Sequence, residues 1–106
     1  MQPLAEIYVP ASNTVIQSST VPVTVYSRFL RERSVFKFSI QLIPAWHASF
    51  PVQQCRDGAS AGCFQEMILT LPNSLGADIN LTLEVHEKRK TPPLDTMWIS
   101  LRVSSE

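Results

Sequence analysis

Residues 35–42 read Val-Phe-Lys-Phe-Ser-Ile-Gln-Leu, and apolar side chains alternate with polar ones along most of this stretch. Successive side chains of a β-strand point to opposite faces of the sheet, so the pattern gives one apolar and one polar face. The apolar face comprises Phe36, Phe38, Ile40 and Leu42, and the polar face comprises Lys37, Ser39 and Gln41. The stretch therefore predicts a half-buried strand, which we expect Pro44 to end.

Four further runs repeat this alternation: Val21–Ser27, Met67–Leu71, Ile79–Val85 and Met97–Val103. Leu4–Val9 is predicted to be a short edge strand, and Val15-Ile16 a bridge between sheets. Five apolar faces in one small chain can be hidden only against each other, which requires two packed sheets or a closed barrel. We predict an all-β domain, most simply an antiparallel β-sandwich of six or seven strands. The expected core is Phe36, Phe38, Ile40, Leu81, Leu83, Ile99 and Leu101.

Length and composition limit the class of protein. The 106 residues fit one domain spanning 1–106, and 44% apolar residues against 17% charged ones exclude a disordered chain. Nine basic and nine acidic residues cancel, so no net charge favours nucleic acid or an anionic membrane as partner. No run approaches the ~20 apolar residues that direct membrane insertion would need. The start has no signal-peptide pattern and the end follows a predicted strand, so we expect a domain excised from a longer chain.

Two cysteines, Cys55 and Cys63, lie in one stretch with a flexible sequence between them. In an extracellular domain they would pair, and the chain-entropy model gives a loop of this length about 2.5 kcal/mol of stabilisation. The alternative is two free thiols in a cytosolic protein. A metal site using His47 or His86 is disfavoured because Cys-x7-Cys is not a zinc-ligand spacing. We therefore predict a disulfide, with no metal and no cofactor.

Asn80-Leu81-Thr82 fits the acceptor pattern for N-glycosylation. The predicted strand places Asn80 and Thr82 on its polar face, where a glycan could extend into water. Together with the cysteine pair, this motif favours an extracellular or secretory-pathway location.

Aromatic residues outside the predicted core mark the candidate binding surface. Trp46, His47 and Phe50 fall in Ala45–Gln65, which reads as one long loop, and long loops often carry function. Trp98 lies on the polar face of its predicted strand. Tryptophan is enriched among interface anchors, although either tryptophan ring could instead cover an open end of the sheets.

The strand pattern resembles that of an immunoglobulin-like or fibronectin-type module in its general architecture. The resemblance implies two packed antiparallel sheets. The chain departs from the immunoglobulin pattern because Cys55 and Cys63 lie in one loop instead of joining two sheets, and because no tryptophan lies on the third strand.

No phosphate-binding glycine loop, nucleophile elbow or metal-ligand cluster is present in the sequence, so we expect no enzyme. The leading hypothesis is an interaction or spacer module of a larger extracellular or lumenal protein, contacting another protein or neighbouring domains. An alternative is a carbohydrate-binding accessory module of a secretory-pathway enzyme, with a glycan stacked on Trp46 or Trp98. A third is a cytosolic or viral β-sandwich with free thiols.

The first testable prediction is the pairing of Cys55 with Cys63 in oxidised protein. Peptide mapping without reduction should recover the two cysteines in one linked pair of peptides, since no other cysteine is present. Alkylation of both thiols before reduction would contradict the pairing and weaken the case for an extracellular location.

Overall fold

The computed structural model describes residues 4–28, 34–41, 43–53, 62–72, 78–87 and 92–103. These segments are all-β and contain no helix. The strands are β1 Ala5–Val9, β2 Thr14–Ile16, β3 Thr20–Ser27, β4 Ser34–Ile40, β5 Ile43–Pro51, β6 Cys63–Thr70, β7 Ile79–Glu87 and β8 Asp95–Val103.

The strands form two sheets that pack together in a compact, sandwich-like fold. One sheet has three strands in the order β1-β3-β6, and the other has five in the order β2-β8-β7-β4-β5. The prediction of two packed sheets is confirmed. The predicted count of six or seven strands is wrong, since eight are described, and so is the uniformly antiparallel pairing, since β2 runs parallel to β8.

The core is the layer of apolar side chains between the two sheets. All seven residues expected there are buried, and none is more than 6% exposed. Phe36 and Phe38 of β4 are fully buried, as are Leu81 and Leu83 of β7 beside them. From the other sheet, Val23 and Val25 of β3 face this layer with no exposed surface. The period of two along each strand therefore assigned the faces correctly.

The structure differs most from the sequence-based prediction at β5. Ala45–Gln65 was predicted to be one loop, yet β5 extends to Pro51 and β6 begins at Cys63. Pro44 lies inside β5 and does not end β4. Prolines are tolerated here because β5 is an edge strand that pairs with β4 alone. Leu42, the predicted end of the strand before it, lies outside the described residues.

A short turn moves the chain from one sheet to the other between β1 and β2. Asn13 has a φ of 71°, a left-handed conformation that asparagine tolerates better than most residues. Its N–H donates to the carbonyl oxygen of Ser100 at 2.6 Å, and the N–H of Ser100 donates to Ser12 Oγ at 3.2 Å. These bonds fix the start of β2 beside β8, where the three-residue strand pairs in parallel.

Side chains of β8 also hold the edge strand β1 of the opposite sheet. Asp95 Oδ2 accepts a hydrogen bond from the N–H of Leu4 at 2.8 Å. Met97 Sδ accepts one from the N–H of Ile7 at 3.0 Å. Backbone donors on an exposed edge invite pairing with another chain, so these contacts both join the sheets and occupy two such donors.

The second prediction concerns the buried layer. Phe38→Ala should lower the free energy of unfolding by about 3–5 kcal/mol, because the ring is fully buried and packs edge-on against Phe50. Phe64→Ala is the matched control: its ring is 57% exposed, and the loss should be about 1 kcal/mol or less. Urea denaturation measures both values. A loss below about 1 kcal/mol for Phe38→Ala would show that β4 buries its other face.

Candidate functional site

Large apolar side chains are exposed unevenly over the described surface. Seven are exposed, and four of these belong to β1 and β6, the two edge strands of the three-stranded sheet. They are Tyr8 at 61%, Val9 at 46%, Phe64 at 57% and Ile68 at 63% exposure. A group of exposed apolar side chains on one sheet is typical of an interaction surface, whereas single exposed ones are ordinary.

Three of the rings on this sheet touch one another, and we call Tyr8, Tyr26 and Phe64 the aromatic cluster. The Phe64 ring contacts both tyrosines, with its ring centroid 5.0 Å from that of Tyr8 and 5.1 Å from that of Tyr26. Tyr26 is opposite Phe64 in the β3–β6 register. The β1–β3 register shifts between Ile7 and Val9, at Tyr8, as expected of a bulge that redirects a side chain.

A shallow open groove of about 600 Å³ runs beside the aromatic cluster. Its lining combines apolar rings with amide and hydroxyl groups, and Glu66 is the one charged residue among the described residues that form it. The lining residues are Tyr8, Val9, Thr24, Gln53, Phe64, Gln65 and Glu66.

Gln65 holds one wall of the groove in place. Gln65 is buried, and its side chain makes two hydrogen bonds, one to the last residue of β5 and one to the segment that follows β5. Gln65 Nε2 donates to the carbonyl oxygen of Pro51 at 3.0 Å, and Gln65 Oε1 accepts from the N–H of Gln53 at 2.9 Å. Because β5 and β6 belong to different sheets, this amide joins the sheets and positions Gln53 against β6.

Charged groups flank the aromatic cluster. The guanidinium of Arg28 lies 5.8 Å from the centroid of the Tyr26 ring, within the range of a cation–π interaction. Glu6 is opposite Tyr26 on β1, and its side chain is exposed. The aromatic cluster therefore already contacts one cation of its own chain, Arg28. Carboxylates lie on the strands to either side of β3, Glu6 on β1 and Glu66 on β6.

Gly62 lets the chain approach β3 closely just before β6 begins. Its φ is +90°, and an added Cβ would lie 2.6 Å from both the Ser27 carbonyl oxygen and the Tyr26 hydroxyl. Only glycine fits this position without displacing the neighbouring strand.

Trp46 and Phe50, predicted to lie on an exposed loop, lie on β5 and face inward. Both rings are half-buried and pack against the hydrophobic core. Trp46 Nε1 donates to the carbonyl oxygen of Thr70 at 3.1 Å, which ties β5 to β6 across the side of the sandwich. The loop interpretation is therefore wrong for both residues, and also for His47 between them on β5. The rings of Trp46 and Phe50 close the open side of the two sheets.

Trp98 and His47 lie on the outer face of the five-stranded sheet, away from the aromatic cluster. Trp98 is 60% exposed, as its polar-face position predicted. The register aligns it with Thr82, Ser39 and His47 in one row across four strands. Three strand spacings separate Trp98 from His47, roughly 14 Å in total, so the two residues do not form one site.

The remaining predicted site residues are spread over both sheets. Asn80 lies on β7, on the same outer face as Trp98, and whether it carries a glycan stays a prediction. Cys63 begins β6, directly before the aromatic cluster, whereas Cys55 lies outside the described residues; their pairing also stays a prediction. Within the described segments, no three His, Cys, Asp or Glu side chains come together as a metal site would require.

The aromatic cluster was not predicted from the sequence. The alternation along Val21–Ser27 gives Tyr26 an outward position without indicating a ring contact, and the predicted loop Ala45–Gln65 includes Phe64. The sequence did contain a signal for Phe64. The alternation of β6 continues back to the start of the strand, so that Phe64, Glu66 and Ile68 share one face. The position of Tyr8 depends on a bulge, which the alternation of side chains does not reveal.

No model of a known protein family matches the chain, and no curated protein matches its sequence. The described part of the chain has no helix of the length and apolarity needed to cross a membrane.

The third prediction tests Gln65 as the residue that positions the groove. Gln65→Met keeps the side-chain length but removes both hydrogen bonds, so it should cost about 1–2 kcal/mol of stability. Glu66→Ala, the exposed neighbour, should change stability by no more than about 0.5 kcal/mol. Urea denaturation compares the variants, and an equal, small effect for both would show that the Gln65 amide contributes nothing to joining the sheets.

Proposed function

We propose that this chain is a non-enzymatic interaction module of a larger extracellular or lumenal protein, and that its partner docks on the outer face of the three-stranded sheet. The observation that carries the proposal is the aromatic cluster, in which Tyr8 and Phe64 remain more than half exposed while touching each other. Aromatic rings are enriched at the energetic centres of protein interfaces. Neighbouring domains of the parent chain are the other class of partner.

The strand order supports an immunoglobulin-like or fibronectin-type architecture. The β3–β6 pair corresponds to the B–E pair of such folds, and β8-β7-β4 to the G-F-C sheet. β5 occupies the position of the additional C′ strand beside C. The family assignment remains our proposal, since this chain lacks the inter-sheet cysteines and the strand C tryptophan of the immunoglobulin pattern.

The groove favours a cationic side chain on the partner. Ring faces attract cations, and Arg28 beside Tyr26 shows that the cluster accommodates a guanidinium group. Glu66 supplies a carboxylate in the groove lining, with no basic residue among the described residues there. An arginine of the partner could therefore lie against the exposed rings and pair with Glu66.

Two observations support the extracellular or lumenal location. Cys55 and Cys63 are the only two cysteines of the sequence, which makes a disulfide between them the expected pairing in an oxidising compartment. Asn80 and Thr82 of the glycosylation motif lie together on an outer sheet face. Stable disulfides and N-linked glycans are both features of secretory-pathway proteins.

A carbohydrate-binding accessory module is the second candidate, and the exposure of Trp98 is what favours it. Trp46 is half-buried against the core, so Trp98 is the more suitable ring for stacking a sugar. Glycan-array binding that depends on Trp98 and not on Phe64 would favour this function over protein binding.

The fourth prediction tests the cationic partner chemistry. Titration with the peptide Gly-Arg-Arg-Gly should shift NMR signals of Tyr8, Phe64 and Glu66, whereas Gly-Glu-Glu-Gly should not. Phe64→Ala should weaken binding about fivefold, the equivalent of about 1 kcal/mol for an exposed cation–π contact. Trp98→Ala, an exposed ring on the other sheet, serves as the control and should bind normally. Shifts outside the cluster, or equal loss in both variants, would overturn the proposed docking face.

A further inference from the structure

The glycosylation motif and an exposed tryptophan lie side by side on the five-stranded sheet. In the β7–β8 register, Asn80 is opposite Ser100 and Thr82 is opposite Trp98. Asn80 and Trp98 are therefore diagonal neighbours on adjacent strands. Such neighbours lie about 7–8 Å apart, within reach of a large side chain.

We propose that Trp98 is the platform on which the first sugar of an N-linked glycan at Asn80 packs. The inference rests on the secretory-pathway location in the proposed function, but not on the partner-binding face, which belongs to the other sheet. It gives a role to Trp98, the one exposed tryptophan among the described residues, which is 60% exposed.

Two hydrogen bonds to neighbouring residues hold the Asn80 side chain in place. Its Oδ1 accepts a hydrogen bond from Ser100 Oγ at 3.1 Å, and its Nδ2 donates to Gln41 Oε1 at 2.9 Å. An amide Nδ2 carries two hydrogens, so one remains to be replaced without breaking either bond. Both bonds then orient the amide from which the sugar extends.

The attachment is a group transfer from an oligosaccharide carried on a lipid diphosphate. A bond forms between Asn80 Nδ2 and C1 of the first N-acetylglucosamine, and the bond between C1 and the phosphate oxygen breaks. The lipid diphosphate leaves with the bonding electron pair, and one Nδ2 proton is lost to a base of the transferase. Thr82 supplies the hydroxyl that the acceptor motif requires.

The surroundings of Trp98 suit a sugar better than an apolar partner. Thr82 is directly opposite the ring, and Ser100 is the next outward residue along β8. A pyranose has an apolar C–H face for the ring and hydroxyls for these neighbours. The aromatic cluster on the other sheet differs, because its rings touch one another and form a continuous apolar surface.

Comparison of secreted variants tests the proposal. The full chain is secreted behind an added signal peptide from cells that make high-mannose glycans, and part of it is trimmed with endoglycosidase H to a single N-acetylglucosamine. Intact mass should show one glycan, absent in Thr82→Ala and retained in Thr82→Ser. The glycosylated and trimmed forms should both melt about 4 °C above Thr82→Ala, since the first sugar makes the contact.

The double-variant comparison isolates the role of Trp98. In the Trp98→Ala background, the glycan-dependent rise in Tm should disappear, whereas in Tyr8→Ala, the exposed-ring control on the other sheet, it should persist. The N-acetyl methyl protons of the first sugar should show an upfield ring-current shift in the NMR spectrum, lost in Trp98→Ala.

Two results would overturn the inference. If the secreted chain carries no glycan, Trp98 has no sugar to contact, and the result also counts against the proposed extracellular or lumenal location. The docking face on the three-stranded sheet would still be tested by the peptide titration. An occupied Asn80 whose Tm rise and methyl shift are unchanged in Trp98→Ala would exclude the platform and leave the proposed function intact.

Discussion

The buried layer between the two sheets is the constraint on which the rest of the structure depends. Strands β4 and β7 each give this layer fully buried side chains, Phe36 and Phe38 from one and Leu81 and Leu83 from the other. Apolar burial of this kind is the main favourable term in folding. Because these side chains face the core, the alternation of side chains along each strand determines which ones point outward, including Trp98. The surfaces available for function are thus a consequence of the core.

The sequence predicted the strands whose burial is regular, and it failed where the alternation is weak or where pairing depends on distant parts of the chain. β4 and β7 were identified because each alternates without interruption. β5 was missed because two prolines and two small alanines weaken its pattern. Its edge position, which tolerates proline, is a property of the folded sheet. β2 is three residues long and its parallel partner lies at the other end of the chain. Within the candidate site, the exposure of Trp98 was predictable, whereas the Tyr8 contact with Phe64 requires a bulge.

The two outer faces differ in chemistry, and the proposals assign them different roles. The three-stranded sheet presents the aromatic cluster with Glu66 in the adjoining groove. The five-stranded sheet presents hydroxyl and amide groups around Trp98 and Asn80. A glycan on the second face would keep that face in water and direct protein contacts to the first. The Gln65 and Trp46 hydrogen bonds, which cross from one sheet to the other, keep the two faces fixed relative to each other.

Native-state hydrogen exchange tests the central claim most directly, because it reports the stability of each strand separately. If the layer on β4 and β7 holds the fold together, their amides should exchange slowest and only by global unfolding. Amides of the short strand β2 should exchange much faster, through local opening. Exchange of β4 and β7 at the rate of β2 would contradict the account, since the two central strands would then not form the stable core.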